Sequence, residues 1–180
     1  MPISGEEPSN PVTVRSDTRF GGRLFTVESR LIELPDGERV SIDCVNFPDV
    51  ALVLAMVDDG VVMTRQFRYP PQAWILEAPA GRVDRGETPA ETAVRELREE
   101  TGYSATSVRG IGEIRMSPHL SNEITHVFLA EGLRAGTRAP EVGEVLFVVH
   151  LAVSELRRQI AQGSLVDAKT ISALVLADLL

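Results

Sequence analysis

The segment from Thr88 to Gly102 constrains this chain more than any other stretch. It opens on Thr88-Pro89-Ala90-Glu91, a capping box with proline at the first helical position, and closes on Gly102, the residue best able to turn a chain out of a helix. On a wheel of about 100° per residue, Ala90, Ala93, Val94 and Leu97 share one face, which predicts an amphipathic helix laid on a core. Beside that face, Glu96, Glu99 and Glu100 form a stripe of carboxylates within about a turn and a half. Such charges repel one another unless something offsets them. Arg95 and Arg98 offset part. A divalent cation that prefers hard oxygen ligands, Mg2+ or Mn2+, would offset more. An acidic stripe alone is ordinarily a solvated helix face, so the surrounding sequence has to decide.

North of the helix the pattern is one of strands. Leu24 to Leu34 and Val40 to Phe47 are strand-like and are joined by the turn sequence Pro35-Asp36-Gly37. Val50 to Val57 is an unbroken apolar run, the signature of a strand buried on both faces. Asp58-Asp59-Gly60 turns it into a strand ending near Tyr69, and Trp74 to Glu77 makes a short one before Ala78-Pro79-Ala80-Gly81. After the helix, strands are expected at about 106–115, 124–130 and 145–151. Two further helices follow, one from Ser154 to Gly163 and one capped by Asp167. Residues 1–20, rich in Pro, Ser, Glu and Gly, are expected to be a loose arm. The order of elements predicts an α/β (α+β) sandwich with a mixed sheet between helices.

Composition narrows the function. With 180 residues there is room for one sizeable core. The net charge of −8 argues against nucleic-acid or membrane partners, which are attracted by basic surfaces. The single cysteine, Cys44, excludes an internal disulfide and a cysteine zinc site. His119, His126 and His150 have no paired spacing for zinc. No apolar run approaches a membrane span and the start lacks a secretion signal, so a cytoplasmic protein is expected.

The flanks of the helix carry a longer pattern. Gly81, five residues, Glu87, seven residues, then Arg95-Glu96-Leu97-Arg98-Glu99-Glu100-Thr101-Gly102 matches the Nudix box, G-x5-E-x7-R-E-U-x-E-E-x-G-U, at every fixed letter. The one departure is Tyr103 at the closing aliphatic position. By this match the chain resembles the Nudix hydrolases. The resemblance implies a Nudix fold over 48–180, preceded by a β-hairpin extension over 21–47. It further implies that Glu96 and Glu100, with Glu99 and the carbonyl of Ala80, hold the metal. Glu87 and Arg95 would pair to fix loop to helix, and Gly81 would let the backbone approach the metal. The expected reaction is hydrolysis of a nucleoside diphosphate-X anhydride, in which metals activate water and neutralise the charge that moves to the leaving phosphate.

Specificity lies outside the box. Arg65-Gln66-Phe67-Arg68-Tyr69, the run Trp74 to Gly81, Ser117-Pro118 and Asp167-Ala168-Lys169-Thr170 resemble the ADP-ribose pyrophosphatase and nucleotide-sugar pyrophosphatase branch. On that resemblance Arg68, Glu77, Gly81 and Pro118 are the substrate-side residues, while His119 stands where a glycine is common. The branch uses a mobile-loop glutamate to activate water. Here Glu144, by register, and Glu141 are the candidates, with Glu123 a third. Trp74 could stack on adenine or simply pack. On the same resemblance, the N-terminal hairpin implies a homodimer. GDP-mannose or another dinucleoside substrate is the alternative within the family. A non-catalytic nucleotide-binding domain is disfavoured, because all three box carboxylates are present.

Overall fold

A computed structural model describes residues 9–180, and these group into two units. The first runs to Phe47 and also takes in Ser117–Glu123. It is an antiparallel meander of β1 (Val12–Gly21), β2 (Thr26–Glu33) and β3 (Arg39–Asn46). Ile32 pairs with Val40 across the β2–β3 hairpin. Its turn closes with Leu34 N–H on Glu38 O at 2.8 Å, Gly37 at φ 84° and Asp36 Oδ1 accepting from Glu38 N–H. That is the job for which Asp and Gly suit a turn.

Strand β1 corrects one expectation. The loose arm was drawn over residues 1–20, but Val12–Gly21 pairs along β2 from Val12↔Glu33 to Gly21↔Thr26, with bulges at Thr13/Arg15 and Thr18/Phe20. Composition weighs only local preference, whereas this strand is held by backbone bonds to a neighbour, and its Val, Thr and Phe residues fit a pleated surface. Residues 1–8 of the arm lie outside the described residues. Ser117–Glu123 bonds to the end of β3 and groups with the first unit. Val45 N–H reaches Leu120 O at 2.8 Å, and Asn122 Oδ1 accepts from Phe47 N–H at 2.9 Å.

The second unit is built on β4 (Val50–Val57), β5 (Gly60–Arg68), β6 (Ala73–Glu77) and β7 (Ala80–Arg82), followed by α1 (Pro89–Glu96). Short β8 (Tyr103–Ser104), β9 (Ser107–Ile114), β10 (Thr125–Glu131), short β11 (Arg134–Ala135), β12 (Leu146–Ala152), α2 (Val153–Ala161) and α3 (Ala168–Leu176) complete it. The main sheet has the order β12-β5-β4-β10-β9, with β6 on β5 and β7 on β4. It is mixed, since β4 runs parallel to β10 and antiparallel to β5. β4 is central, which is why Val50 to Val57 is apolar at every position. Leu52 and Leu54 face a core with Leu156, Leu165, Ala173 and Leu174 from the α2–α3 side. Ala51, Val53 and Ala55 face a second core that includes Ala93 and Leu97 of the acidic helix. The sheet is therefore sandwiched between helices, as the sequence predicts.

Candidate active site

The capped start forms as the sequence specifies: Thr88 Oγ1 accepts from Glu91 N–H at 3.3 Å, and Glu91 Oε2 accepts from Thr88 N–H at 2.8 Å. Five residues from Leu97 to Thr101 then continue α1 as one turn of π-helix, ended by Gly102 at φ 79°. π turns are rare and concentrate at functional sites. What the wheel does not foresee is the helix's rotation. Ala90 and Val94, assigned to the apolar face, are exposed, Val94 by 50%. The buried stripe is Thr92, Ala93, Glu96, Leu97 and Glu100. Two carboxylates thus go inside while a valine stays out, the reverse of what transfer energies favour.

Glu96 is 7% and Glu100 2% exposed. Burial pushes the Glu96 carboxyl up to about 7, against the pull of Arg95. Glu100 is raised well above the usual carboxylate range, by burial first and then by the charges of Glu96 and Glu144. Glu100 Oε2 finds no hydrogen-bond partner among the described residues. A buried carboxylate oxygen without a partner costs several kcal/mol if ionised, so its retention calls for a ligand. β7 pairs with β4, Ala80 opposite Leu52 and Gly81 opposite Ala51. Any Cβ on Gly81 would sit 1.8 Å from Glu96 Oε1. The glycine is required because the carboxylate fills the space a side chain would take.

Arg95 ties the cluster together. Its Nε and Nη2 donate to the two oxygens of Glu87 at 2.9 and 3.0 Å, and Nη2 also reaches the carbonyl of Arg82 at 3.1 Å. Nη1 bridges Glu96 Oε1 at 2.6 Å and Glu99 Oε2 at 3.1 Å. The Glu87 carboxyl is held down to about 2 by Arg95 and by the Thr92 hydroxyl, which donates to it at 2.8 Å. Arg68 is anchored at the far side by a two-point pair with Glu77, at 2.8 and 2.6 Å, and Glu77 is buried. Glu100 and Asp167 act electrostatically on the same guanidinium.

Glu144 lies in the loop before β12 and accepts from Glu141 N–H at 2.9 Å. Its charge acts on both Glu96 and Glu100. Pro118 and Glu123 belong to the first unit, with Pro118 opening the turn in which Leu120 N–H bonds Ser117 O. Trp74 packs against Phe67 and Phe147, ring centroids 5.8 and 5.5 Å apart, with Tyr69 joining at Phe67. Thr92 escapes the sequence reading, and Thr170 enters it only as the end of the run Asp167-Ala168-Lys169-Thr170. Thr92 looks like a neutral helix residue yet is fully buried on Glu87. Thr170 accepts from Ala78 N–H at 2.9 Å, fixing α3 to the chain just ahead of Ala80 and Gly81. Its place in that run, behind the Asp167 cap, is its sequence signal.

Among the described residues no three His, Cys, Asp or Glu side chains are already gathered into an ion cage. Mg2+-like ions rarely use one; they take one or two carboxylates and fill the remaining positions with water and substrate phosphate. Hard oxygen donors, an orphaned buried Oε2 and the side-chain-free approach at Gly81 fit such an ion. An acidic helix on a mixed sheet thus sets buried carboxylates beside a guanidinium, a donor set suited to a divalent cation.

The comparisons with known proteins agree. The NUDIX domain profile matches residues 46–174. Over 165 residues the chain is 36% identical to the ADP-ribose pyrophosphatase of Bacillus subtilis (strain 168), covering 90% of this chain and 89% of that protein. It is 33% identical over 164 residues to the methanol dehydrogenase activator of Bacillus methanolicus, 89% of each chain being covered. A crystal structure of an ADP compounds hydrolase shares the fold with a TM-score of 0.85 at 24% identity, spanning 97% of this chain and 95% of that one. The chain belongs to the Nudix family, whose hydrolases generally need a divalent metal.

Proposed function

We propose that this protein is a Mg2+- or Mn2+-dependent pyrophosphatase that hydrolyses ADP-ribose or a related nucleotide sugar to a nucleoside monophosphate and a sugar phosphate. The observation that carries the reading is the Glu96–Glu100 pair, buried against the core with one oxygen unpartnered among the described residues, inside a Nudix box that keeps every fixed letter. ADP-ribose leads among substrates because similarity to an ADP-ribose pyrophosphatase extends over nearly the whole chain.

Glu96 and Glu100, assisted by Glu99 and the Ala80 carbonyl, are the residues to hold the ion. When bound, it supplies charge neutralisation and an acidified water at the diphosphate. The protein's own groups do the rest. Arg95, pinned by Glu87, fixes the orientation of Glu96 and Glu99. Arg68, pre-set by Glu77, offers a rigid guanidinium to a phosphate oxygen. A loop carboxylate takes the proton of the attacking water as the water oxygen bonds to one phosphorus. The bridging P–O bond then breaks, and the departing phosphate leaves with the electron pair. Glu144 is the better candidate, since its charge is felt by both metal carboxylates; Glu141 is the other. Such loops close on binding. Pro118 stays a candidate substrate contact on family resemblance alone.

The enzyme is further proposed to act as a homodimer in the cytoplasm, where the free Cys44 stays reduced. The first unit leaves Val40 and Ile42 exposed on one face of β3, a surface that a second copy would cover.

The test is a panel of nucleoside diphosphate derivatives with Mg2+ or Mn2+ and product analysis, repeated with Glu96→Gln and Glu100→Gln. ADP-ribose should yield AMP and ribose 5-phosphate, and each variant should lose on the order of 10²-fold or more in kcat. Preferential cleavage of GDP-mannose would move the specificity. Unimpaired hydrolysis by either variant would overturn the mechanism.

A further inference from the structure

A solvent-open pocket of about 540 Å3 lies between the end of the acidic helix and the edge strand β12, with Arg138 and His150 exposed on its rim. It shares no lining residue with the carboxylate cluster. In a chain of net charge −8 its lining holds no Asp or Glu but does hold Arg138, His150 and Tyr103. The guanidinium of Arg138 has no ion pair among the described residues. Tyr103 is the box's departure from an aliphatic ending. Its ring packs on the second core as an aliphatic residue would, while its hydroxyl lies 3.2 Å from His150 Nε2. A phenylalanine would serve the packing equally well; the hydroxyl adds a polar group that pairs with His150 at the cavity wall. The walls are also shaped for Arg138. A Cβ on Gly102 would meet Arg138 Cγ at 3.0 Å and Gly136 O at 2.9 Å, so the stem of the arginine occupies the room that glycine leaves.

We propose that this cavity binds a phosphate monoester, with Arg138, His150 and Tyr103 as its anion-holding groups. A guanidinium matches two phosphate oxygens at once, and an imidazole with a phenol beside it supplies further donors. The open pocket has room for more than a bare inorganic anion. The inference leans on the pyrophosphatase reading for one point only: both expected products, a nucleoside monophosphate and a sugar phosphate, are monoesters of this kind. The site also has a way to influence turnover. Arg138 begins the loop that carries Glu141 and Glu144, and Ala139 N–H is tied to Glu99 O at 3.0 Å. A ligand on Arg138 would hold that loop at its root.

Binding of AMP, ribose 5-phosphate and inorganic phosphate to the full chain is to be measured by calorimetry in excess chelator, where hydrolysis and metal-dependent product binding are both silent. One equivalent of an ester should bind; Arg138→Gln should weaken it by about 100-fold and Tyr103→Phe by about tenfold, while Glu96→Gln leaves it unchanged. The arm with the higher affinity identifies the ester. Equal binding by the Arg138→Gln protein, or affinity for inorganic phosphate as high as for either ester, would overturn the proposal. If the chain fails to cleave nucleotide sugars yet binds an ester through Arg138, the pyrophosphatase reading fails and this one stands.

Discussion

At the scale of single residues, Gly81 and Glu100 show how chemistry overrides packing. A methyl group on Gly81 would occupy the position of the Glu96 carboxylate, 1.8 Å from its Oε1. Gly81→Ala is therefore expected to displace Glu96 and to weaken divalent-ion binding by at least tenfold in calorimetry, while circular dichroism remains that of the parent. Retained affinity would mean that Glu96 does not hold the ion where it lies now. The raised carboxyls make a second prediction. The Glu96 carboxyl stands at about 7 in the fold against 4.5 as an ordinary carboxylate. A folded-state value above the unfolded one means that the unfolded chain gives up this proton first. Stability from this group is then full below about pH 4.5 and lost as pH rises to about 7, by at most about 3 kcal/mol. In chelator, urea midpoints of the parent should fall over this window relative to those of Glu96→Gln, and added Mg2+ should restore them. Parallel curves for the two proteins would refute the shift.

At the scale of elements, the acidic helix was legible in part. Its start, stop and box spacing are local features, carried by Thr88, Gly102 and the residues from Gly81 to Glu100, and local features survive in sequence. Its rotation is not local. A wheel ranks residues by hydrophobicity and so places Val94 inside, whereas the helix buries Glu96 and Glu100 and leaves Val94 out. Nor could spacing show that one Arg95 side chain serves Glu87, Glu96 and Glu99 together, or that the last turn widens into a π-helix. β1 was missed for a related reason: its partner is β2, and nothing within residues 12–21 announces the pairing. The cap offers a clean test of what was legible. Thr88→Ala removes the hydroxyl that accepts from Glu91 N–H and should cost about 1 kcal/mol, or about 2–4 °C in Tm for a chain of this size. An unchanged Tm would show that the core contacts of Ala93 and Leu97, rather than the cap, hold this end.

At the scale of the whole molecule, the two units pose different problems. The second has helices on both faces of its sheet and buries its large aliphatic residues. The first is a three-stranded sheet with no helix among its described residues, and β2 is only half-buried along its entire length. A sheet of that size, with Val40 and Ile42 exposed on one face of β3, is marginal unless something covers it. Covering by a second copy would account for the apolar residues without adding a partner of another kind. Ile42→Glu, which places a charge in such a contact but touches neither the carboxylate cluster nor the Arg138 cavity, should shift light-scattering mass from two chains to one at micromolar concentration. Hydrolysis then separates two roles for the assembly. If the dimer only stabilises the first unit, kcat of the monomer at low temperature should stay near that of the parent. If residues of the first unit, Pro118 among them, help to seat the substrate, KM should rise with dissociation while metal affinity at Glu96 and Glu100 is unaltered. A parent protein that is monomeric at all concentrations would remove the homodimer and leave the exposed face of β3 to another partner.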